Sequence, residues 1–269
     1  MFDMKAEKMF LFLNEQIKSQ TSFIALVGSH NYNLADEKSD YDFKLFVYPT
    51  FLDLYNGAKK NGHDTKVHDC DLKTTDIRKF KDCLVKSSIN FIETLYSDDI
   101  FIPTTKDEEL DKANKEMINF LIHNRESLAA MNIKYLIKVC RSTIQARING
   151  FTNNGNYKAA AEAFKTAVIL KRYLTNLMER KENPFLNAIK ISKEDSMREP
   201  YFQIRQKSIT EKKILNYIDL ANKDMESTIE KDLFDAREKD HIMANALDMV
   251  LKKAVAKRVQ IELNNKYKK

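Results

Sequence analysis

The sequence predicts an α+β fold: a small mixed β-sheet with flanking helices over residues 1–104, followed by an α-helical, basic domain over residues 105–269. Three observations lead there. Apolar residues alternate with period two only within the first hundred positions and recur with helical period beyond them. The five glycines are Gly28, Gly57, Gly62, Gly150 and Gly155, so after Gly155 only Pro184 and Pro200 interrupt a helical pattern. Charge divides in the same sense, with 16 Lys+Arg against 21 Asp+Glu in residues 1–120 and 29 against 18 in residues 121–269.

A chain of 269 residues buries a core without disulfides or a structural metal. Its 43% hydrophobic and 31% charged residues exclude a disordered chain, a collagen-like repeat and a membrane bundle. No apolar run approaches the roughly 20 residues that span a bilayer. The N-terminal stretch MFDMKAEKMFLFLN carries acids and lysines through its apolar positions rather than a signal core, so a cytoplasmic location is expected. Cys70, Cys83 and Cys140 are odd in number and lack a CxxC pair, which reads as three buried thiols rather than a disulfide framework or a zinc site.

In chain order, Met9, Phe10, Leu13 and Ile17 mark a first amphipathic helix over about residues 4–19. Residues 22–27, SFIALV, read as a buried strand ending at Gly28. A second strand over residues 41–48 places Tyr41, Phe43, Leu45 and Val47 on one face and Asp42 and Lys44, in line with Asp40, on the other. A third is expected over residues 67–72, with Asp69 and Asp71 sharing a face. From Thr74 the period becomes helical through Ile77, Phe80 and Leu84, and a short apolar piece covers residues 91–96. Thr105 to Glu108 reads as a capping box, and Ala129, Ile133, Leu136, Cys140, Ile144 and Ile148 as one helix. Further helices follow through Ala160 to Met178, through Ile214 to Ile229 after a second capping box at Ser208 to Glu211, and through Met243 to Ile261.

The segment Gly28-Ser29-His30-Asn31-Tyr32-Asn33 through Ser39-Asp40-Tyr41-Asp42 carries the chemistry. Gly28 permits close approach of a phosphate to the backbone and Ser29 adds a hydroxyl, while Asp40 and Asp42 offer hard oxygen ligands to Mg²⁺. An Asp-x-Asp pair alone is most often a solvated turn. Twelve residues after Gly-Ser and between two apolar strands, it reads as a phosphate cradle beside a cation site.

This stretch resembles the signature of the DNA polymerase β-like nucleotidyltransferase superfamily. Its form, Gly-Ser-His-x-Tyr ending in Ser-Asp-x-Asp, is most similar to a bacterial and phage branch with members predicted to act in RNA repair. Asp71, the helix Asp76-Ile77-Arg78-Lys79-Phe80 and the run Asn90-Phe91-Ile92-Glu93-Thr94-Leu95 follow in the order of that branch, so the resemblance covers about residues 20–100. It implies a catalytic domain over residues 1–104, with the active site in a cleft beside the helical domain. Gly28, Ser29, His30 and Ser39 would bind the nucleotide, and Asp40, Asp42 and Asp71 would be the catalytic and metal-binding residues. Asp71 matches the third position, with Asp69 an alternative on the same face. Asn33 replaces a glycine, an exchange that asparagine tolerates at positive φ. Where the branch carries Lys, His and Arg on a later helix, this chain has Lys158, Glu162 and Lys165, so Lys158 and Lys165 are candidate phosphate contacts.

The resemblance implies transfer of a nucleoside monophosphate from an NTP, ATP among them, by two ions of Mg²⁺ or Mn²⁺. All three aspartates would hold one ion beside the acceptor hydroxyl, and Asp40 and Asp42 the other beside the departing pyrophosphate. The expected acceptor is RNA, a tRNA end included; a small molecule, a protein side chain, or a silent nucleotide- or partner-binding role are the alternatives. Lys252, Lys253, Lys257, Arg258, Lys266, Lys268 and Lys269 would suit a nucleic-acid backbone or simply solubilise a helix. His63 and His68 beside Asp64 and Asp69, and Arg237 with His241, read more simply as incidental polar groups than as further sites.

Overall fold

The computed structural model describes residues 5–37, 39–59, 64–67, 70–230 and 239–267. Asp69, His63, His68, Arg237, Lys268 and Lys269 lie outside the described residues, as does the side chain of Lys266. The chain forms two compact units, Met1–Met131 with Asp240–Lys269, and Asn132–Lys239.

The first unit opens with helices α1 (Ala6–Leu11) and α2 (Glu15–Lys18). The single helix expected here is broken because Asn14 caps α2, its side chain accepting the Ile17 N–H at 2.9 Å. Then come β1 (Thr21–Val27), α3 (Gly28–Asn31), β2 (Tyr41–Val47), α4 (Phe51–Tyr55), β3 (Asp64–Val67) and β4 (Cys70–Asp76). The expected third strand is thus two strands, an antiparallel pair with Lys66 opposite Asp71. β4 runs on to Asp76, whose carboxylate accepts the Arg78 N–H at 2.8 Å and starts α5 (Ile77–Val85) there rather than at Thr74. α6 (Ile89–Ile92), a 3₁₀ turn (Glu93–Tyr96) and β5 (Ile100–Phe101) complete the sheet region. Strand order is β3-β4-β2-β1-β5, with β2 and β4 parallel and every other pair antiparallel.

Alternation along β2 gives the sheet two different faces. Phe43, Leu45 and Val47 join Ile24, Leu72 and, from α1 and its flank, Ala6, Met9 and Leu13 in one apolar cluster. On the opposite face Phe46 stacks on Phe23, ring centroids 4.4 Å apart, beneath Phe80 of α5. That face changes character along the strand: Phe46 and Lys44 are buried, Asp42 is half-buried and Asp40, just before the strand, is exposed. It opens to solvent at the end that carries the aspartates.

Helices α7 (Glu108–His123) and α8 (Arg125–Ala130) and the C-terminal helix (His241–Tyr267) also belong to this unit, so its extent differs from the boundary drawn at residue 104. A buried polar knot shows why. Asn114 of α7 accepts from the Ser22 and Tyr48 hydroxyls, each at 2.8 Å, and donates to the Ser22 carbonyl at 2.8 Å. Burial pushes the Tyr48 phenol up to about 12, against the lowering effect of its hydrogen bond with Ser22. Lys253 of the C-terminal helix pairs with Glu116 of α7 at 2.6 Å, and Lys257 with Glu109. Acidic α7 and the basic C-terminal helix therefore satisfy one another, although one lies in the acidic and the other in the basic part of the sequence. The Thr105 capping box does not form: Asp107 caps α7 through Leu110 N–H, while Thr105 bonds to Asp111.

The second unit is all helical: α9 (Ile133–Asn154), α10 (Tyr157–Met178), α11 (Pro184–Ile189), α12 (Arg198–Arg205) and α13 (Glu211–Glu230). The helix expected through Ala129 and Ile133 is two, because Asn132 caps α9 at Tyr135 N–H. Gly155, at φ 61°, ends α9 in the left-handed conformation, and Asn156 caps α10. α10 packs against α9, α11, α12 and α13, its buried alanines allowing close approach. Thr210 rather than Ser208 caps α13, accepting the Lys213 N–H at 3.4 Å. Cys70 and Cys140 are buried and Cys83 is half-buried, so two of the three thiols are enclosed as expected. Among the described residues no helix is long and apolar enough to cross a membrane.

Replacing Asn114 by leucine strands two buried hydroxyls and should cost about 2–3 kcal/mol. Urea denaturation monitored by circular dichroism measures the loss, and adding Tyr48→Phe should recover part of it.

Candidate active site

Backbone pairing builds the site. In the parallel ladder Asp42 of β2 stands opposite Asp71 of β4, so both carboxylates leave the sheet on one face from strands about 4.8 Å apart. The row continues to Val27 of β1 on one side and Lys66 of β3 on the other. Lys66 Nζ lies 3.9 Å from Asp71, both side chains well exposed.

Gly28 follows Val27 and turns the chain out of the sheet at φ 69°. A Cβ at this position would lie 2.2 Å from Asp42 Oδ2, so the carboxylate occupies the space that any other residue would fill. The glycine serves two needs at once, the left-handed backbone and the seat of Asp42. From it the loop folds tightly, Leu34 N–H donating to the Ser29 carbonyl at 2.8 Å, with Tyr32 and Leu34 buried as anchors. Asn33 has φ 59°, the conformation for which a glycine would otherwise be needed.

The remaining expected residues are distributed more widely. Asp40 is exposed, in line with Asp42. Ser39 closes its own turn, donating to Asp36 Oδ1 and accepting the Asp36 N–H, each at 2.9 Å. His30 stacks on Tyr41 with centroids 4.1 Å apart, and Tyr41 points to the face opposite Asp42 by strand alternation. His30 Nε2 is buried without a hydrogen-bond partner among the described residues. Lys158 and Lys165 lie on α10 in the second unit. Lys165 is buried and pairs with Glu162 at 2.7 Å. Burial favours the neutral form of Glu162, but Lys165, with Arg147 and Arg205, outweighs it and holds the carboxyl below the usual range.

Among the described residues no three His, Cys, Asp or Glu side chains gather into a ready-made metal cluster. Two carboxylates in register on neighbouring strands, Asp42 of them against Gly28, nevertheless fit Mg²⁺ or Mn²⁺, since Mg²⁺ binds hard oxygens and takes one or two carboxylates plus substrate phosphates.

Sequence reasoning missed two neighbours. Lys66 escaped because the β3–β4 hairpin was not anticipated. Lys44 and Glu93 were each noted, on the Asp42 face and in the Asn90 to Leu95 run, but nothing in the sequence joined them. Their ion pair measures 2.9 Å and is buried.

A mixed sheet whose parallel pair carries an aspartate on each strand, next to a Gly-Ser turn, fits the nucleotidyltransferase domain that the sequence resembles. Residues 5–138 match the RlaP family, the RNA repair pathway DNA polymerase beta family, and this part of the chain belongs to it. The chain is also similar to a nucleotidyltransferase-like protein of known structure from Exiguobacterium sibiricum 255-15. That likeness is 14% identity over 79% of this chain and 69% of the other, with a TM-score of 0.24. No curated protein sequence matches the chain.

Gly28→Ala should destabilise the fold by about 1–2 kcal/mol through the left-handed backbone alone, before the clash with Asp42 is added. Chemical denaturation checks this, and Gly28→Ala/Asp42→Gly should recover the part of the loss due to the clash, less the cost of a glycine within β2.

Proposed function

We propose that the protein transfers a nucleoside monophosphate from an NTP to a hydroxyl of RNA, a tRNA end being one such acceptor. The observation that carries the reading is the Asp42–Asp71 pair, in register across parallel strands, with Asp42 seated against Gly28. Asp42 and Asp71 would hold Mg²⁺ or Mn²⁺, with Asp40 reaching the same cation site from its exposed position. When bound, the cations neutralise phosphate charge and make the acceptor hydroxyl more acidic.

Gly28 brings the backbone close to the phosphates and Ser29 adds a hydroxyl donor, which orients the α-phosphorus for in-line attack. A carboxylate oxygen of Asp71 takes the acceptor proton. The new acceptor O–P bond forms as the α–β bridge breaks, and pyrophosphate leaves.

Three observations favour RNA as acceptor. The matched family is named for an RNA repair pathway. The second unit holds 21 Lys+Arg against 14 Asp+Glu, whereas the first holds 24 against 25, so positive charge concentrates in Asn132–Lys239. On α9 an open groove of about 420 Å³ is lined by Tyr135, Lys138, Ser142, Thr143 and Arg147 among others. Cations and hydroxyls beside an exposed ring suit a phosphodiester backbone with an unstacked base. The C-terminal lysines contribute less to this, since Lys252, Lys253 and Lys257 are paired with Asp248, Glu116 and Glu109.

The test incubates the wild type, Asp42→Asn and Asp71→Asn with Mg²⁺ and each α-labelled NTP, with and without total small RNA. Label should pass to RNA with the wild type and at least about a hundredfold more slowly with either variant. Label on the protein, or transfer only when a small acceptor is supplied, would replace RNA by that acceptor. No transfer from any NTP would leave a nucleotide-binding role instead.

A further inference from the structure

Lys44 lies two residues beyond Asp42 on β2 and therefore on the same face of the sheet. It is only 7% exposed and Glu93 only 6%, and their side chains meet at 2.9 Å. The ammonium also donates to the Asn90 carbonyl and sits over the Phe91 ring, 5.0 Å from its centroid. All three partners come from Asn90 to Glu93, a segment outside the strand ladder that carries Asp42 and Asp71. Glu93 has a second contact: its backbone carbonyl accepts from Asn31 Nδ2 at 2.9 Å. Asn31 closes α3, the helix that Gly28 opens. One residue thus ties down both walls of the candidate site, the strand of Asp42 through its carboxylate and the Gly-Ser turn through its carbonyl.

A buried salt bridge is seldom a net source of stability, because desolvation offsets the attraction. This one has a further consequence. A lysine two positions from an aspartate on one strand face is within reach of that carboxylate, and an ammonium there would compete with a divalent cation for the same oxygens. We infer that Glu93 is a positioning residue that turns the Lys44 ammonium into the fold and away from Asp42, preserving the affinity of the Asp42–Asp71 pair for a divalent cation. The inference rests on the proposed function in taking that pair as the cation seat. It adds that the Asn90 to Leu95 run serves the site through Lys44 and Asn31 rather than by contact with substrate.

The experiment is a calorimetric titration of Mn²⁺ into the full chain without nucleotide, for the wild type, Asp42→Asn, Glu93→Gln and Lys44→Met/Glu93→Gln. Glu93→Gln should bind Mn²⁺ about tenfold more weakly than the wild type, in the range found when partners of metal ligands are lost. The double variant, with no ammonium left to compete, should return to about the wild-type affinity. Such a rescue is not expected of a residue that merely supports the fold. Should Glu93→Gln fail to fold by circular dichroism, Glu93→Asp takes its place: it keeps the charge but draws it back by one methylene. It should bind several-fold more weakly, with the double variant again restoring affinity. Wild-type affinity in the single variant, or a double variant as weak as the single, overturns the inference and leaves the proposed function standing. A wild type that binds no Mn²⁺, or whose binding survives Asp42→Asn, overturns the cation seat and this inference with it.

Discussion

The parallel register of β2 on β4 is the constraint from which the site follows. Once Asp42 stands opposite Asp71, the pleat dictates every other row: Lys44 opposite Lys73 and Phe46 opposite Thr75 on the same face, Phe43 and Leu45 on the other. A slip of β2 by one residue would turn Asp42 into the apolar cluster of Met9, Ile24 and Leu72 and take Phe43 and Leu45 out of it. The burial that selects the fold therefore also selects the pairing of the carboxylates. Repulsion between two facing carboxylates is a local cost, and the proposed role as a cation seat would be a reason to keep it.

The surroundings hold that row in place by different means. Gly28 yields its side-chain volume to Asp42. Asn114 fastens α7 to β1 and to Tyr48 just beyond β2 with three hydrogen bonds. Glu93 joins Lys44 to the turn that begins at Gly28. The uneven charge of the sequence also resolves into two components. Part is internal, matched between α7 and the C-terminal helix, and the excess that remains belongs to the all-helical unit. That second component is the one a polyanion would draw on under the proposed function.

The α+β class, β1, β2 and most helical faces were legible in the sequence because apolar periodicity reports burial directly, as in Phe43, Leu45 and Val47. The Gly-Ser and Asp-x-Asp residues were legible as well, since few arrangements put those types between two strands. Boundaries were harder to read. Asn14, Asp107, Asn132 and Thr210 each cap a helix that periodicity alone would start elsewhere, because a short polar side chain can bond either its own turn or a helix end. The hairpin before Asp71 was hidden by its brevity. Contacts between residues distant in sequence, Lys44 with Glu93 and Asn114 with Ser22, leave no local signal at all. For that reason the candidate residues could be named from the sequence but their supports could not.

The central claim is that Asp42 and Asp71, beside the turn at Gly28, form the place where cation and nucleotide meet. Anomalous diffraction from crystals grown with Mn²⁺ and a non-hydrolysable NTP analogue tests it most directly. The account predicts a Mn²⁺ peak ligated by Asp42 and Asp71, with the phosphates lying against Gly28 and Ser29. A nucleotide bound away from Gly28 and Ser29, or Mn²⁺ held by other residues, would contradict it.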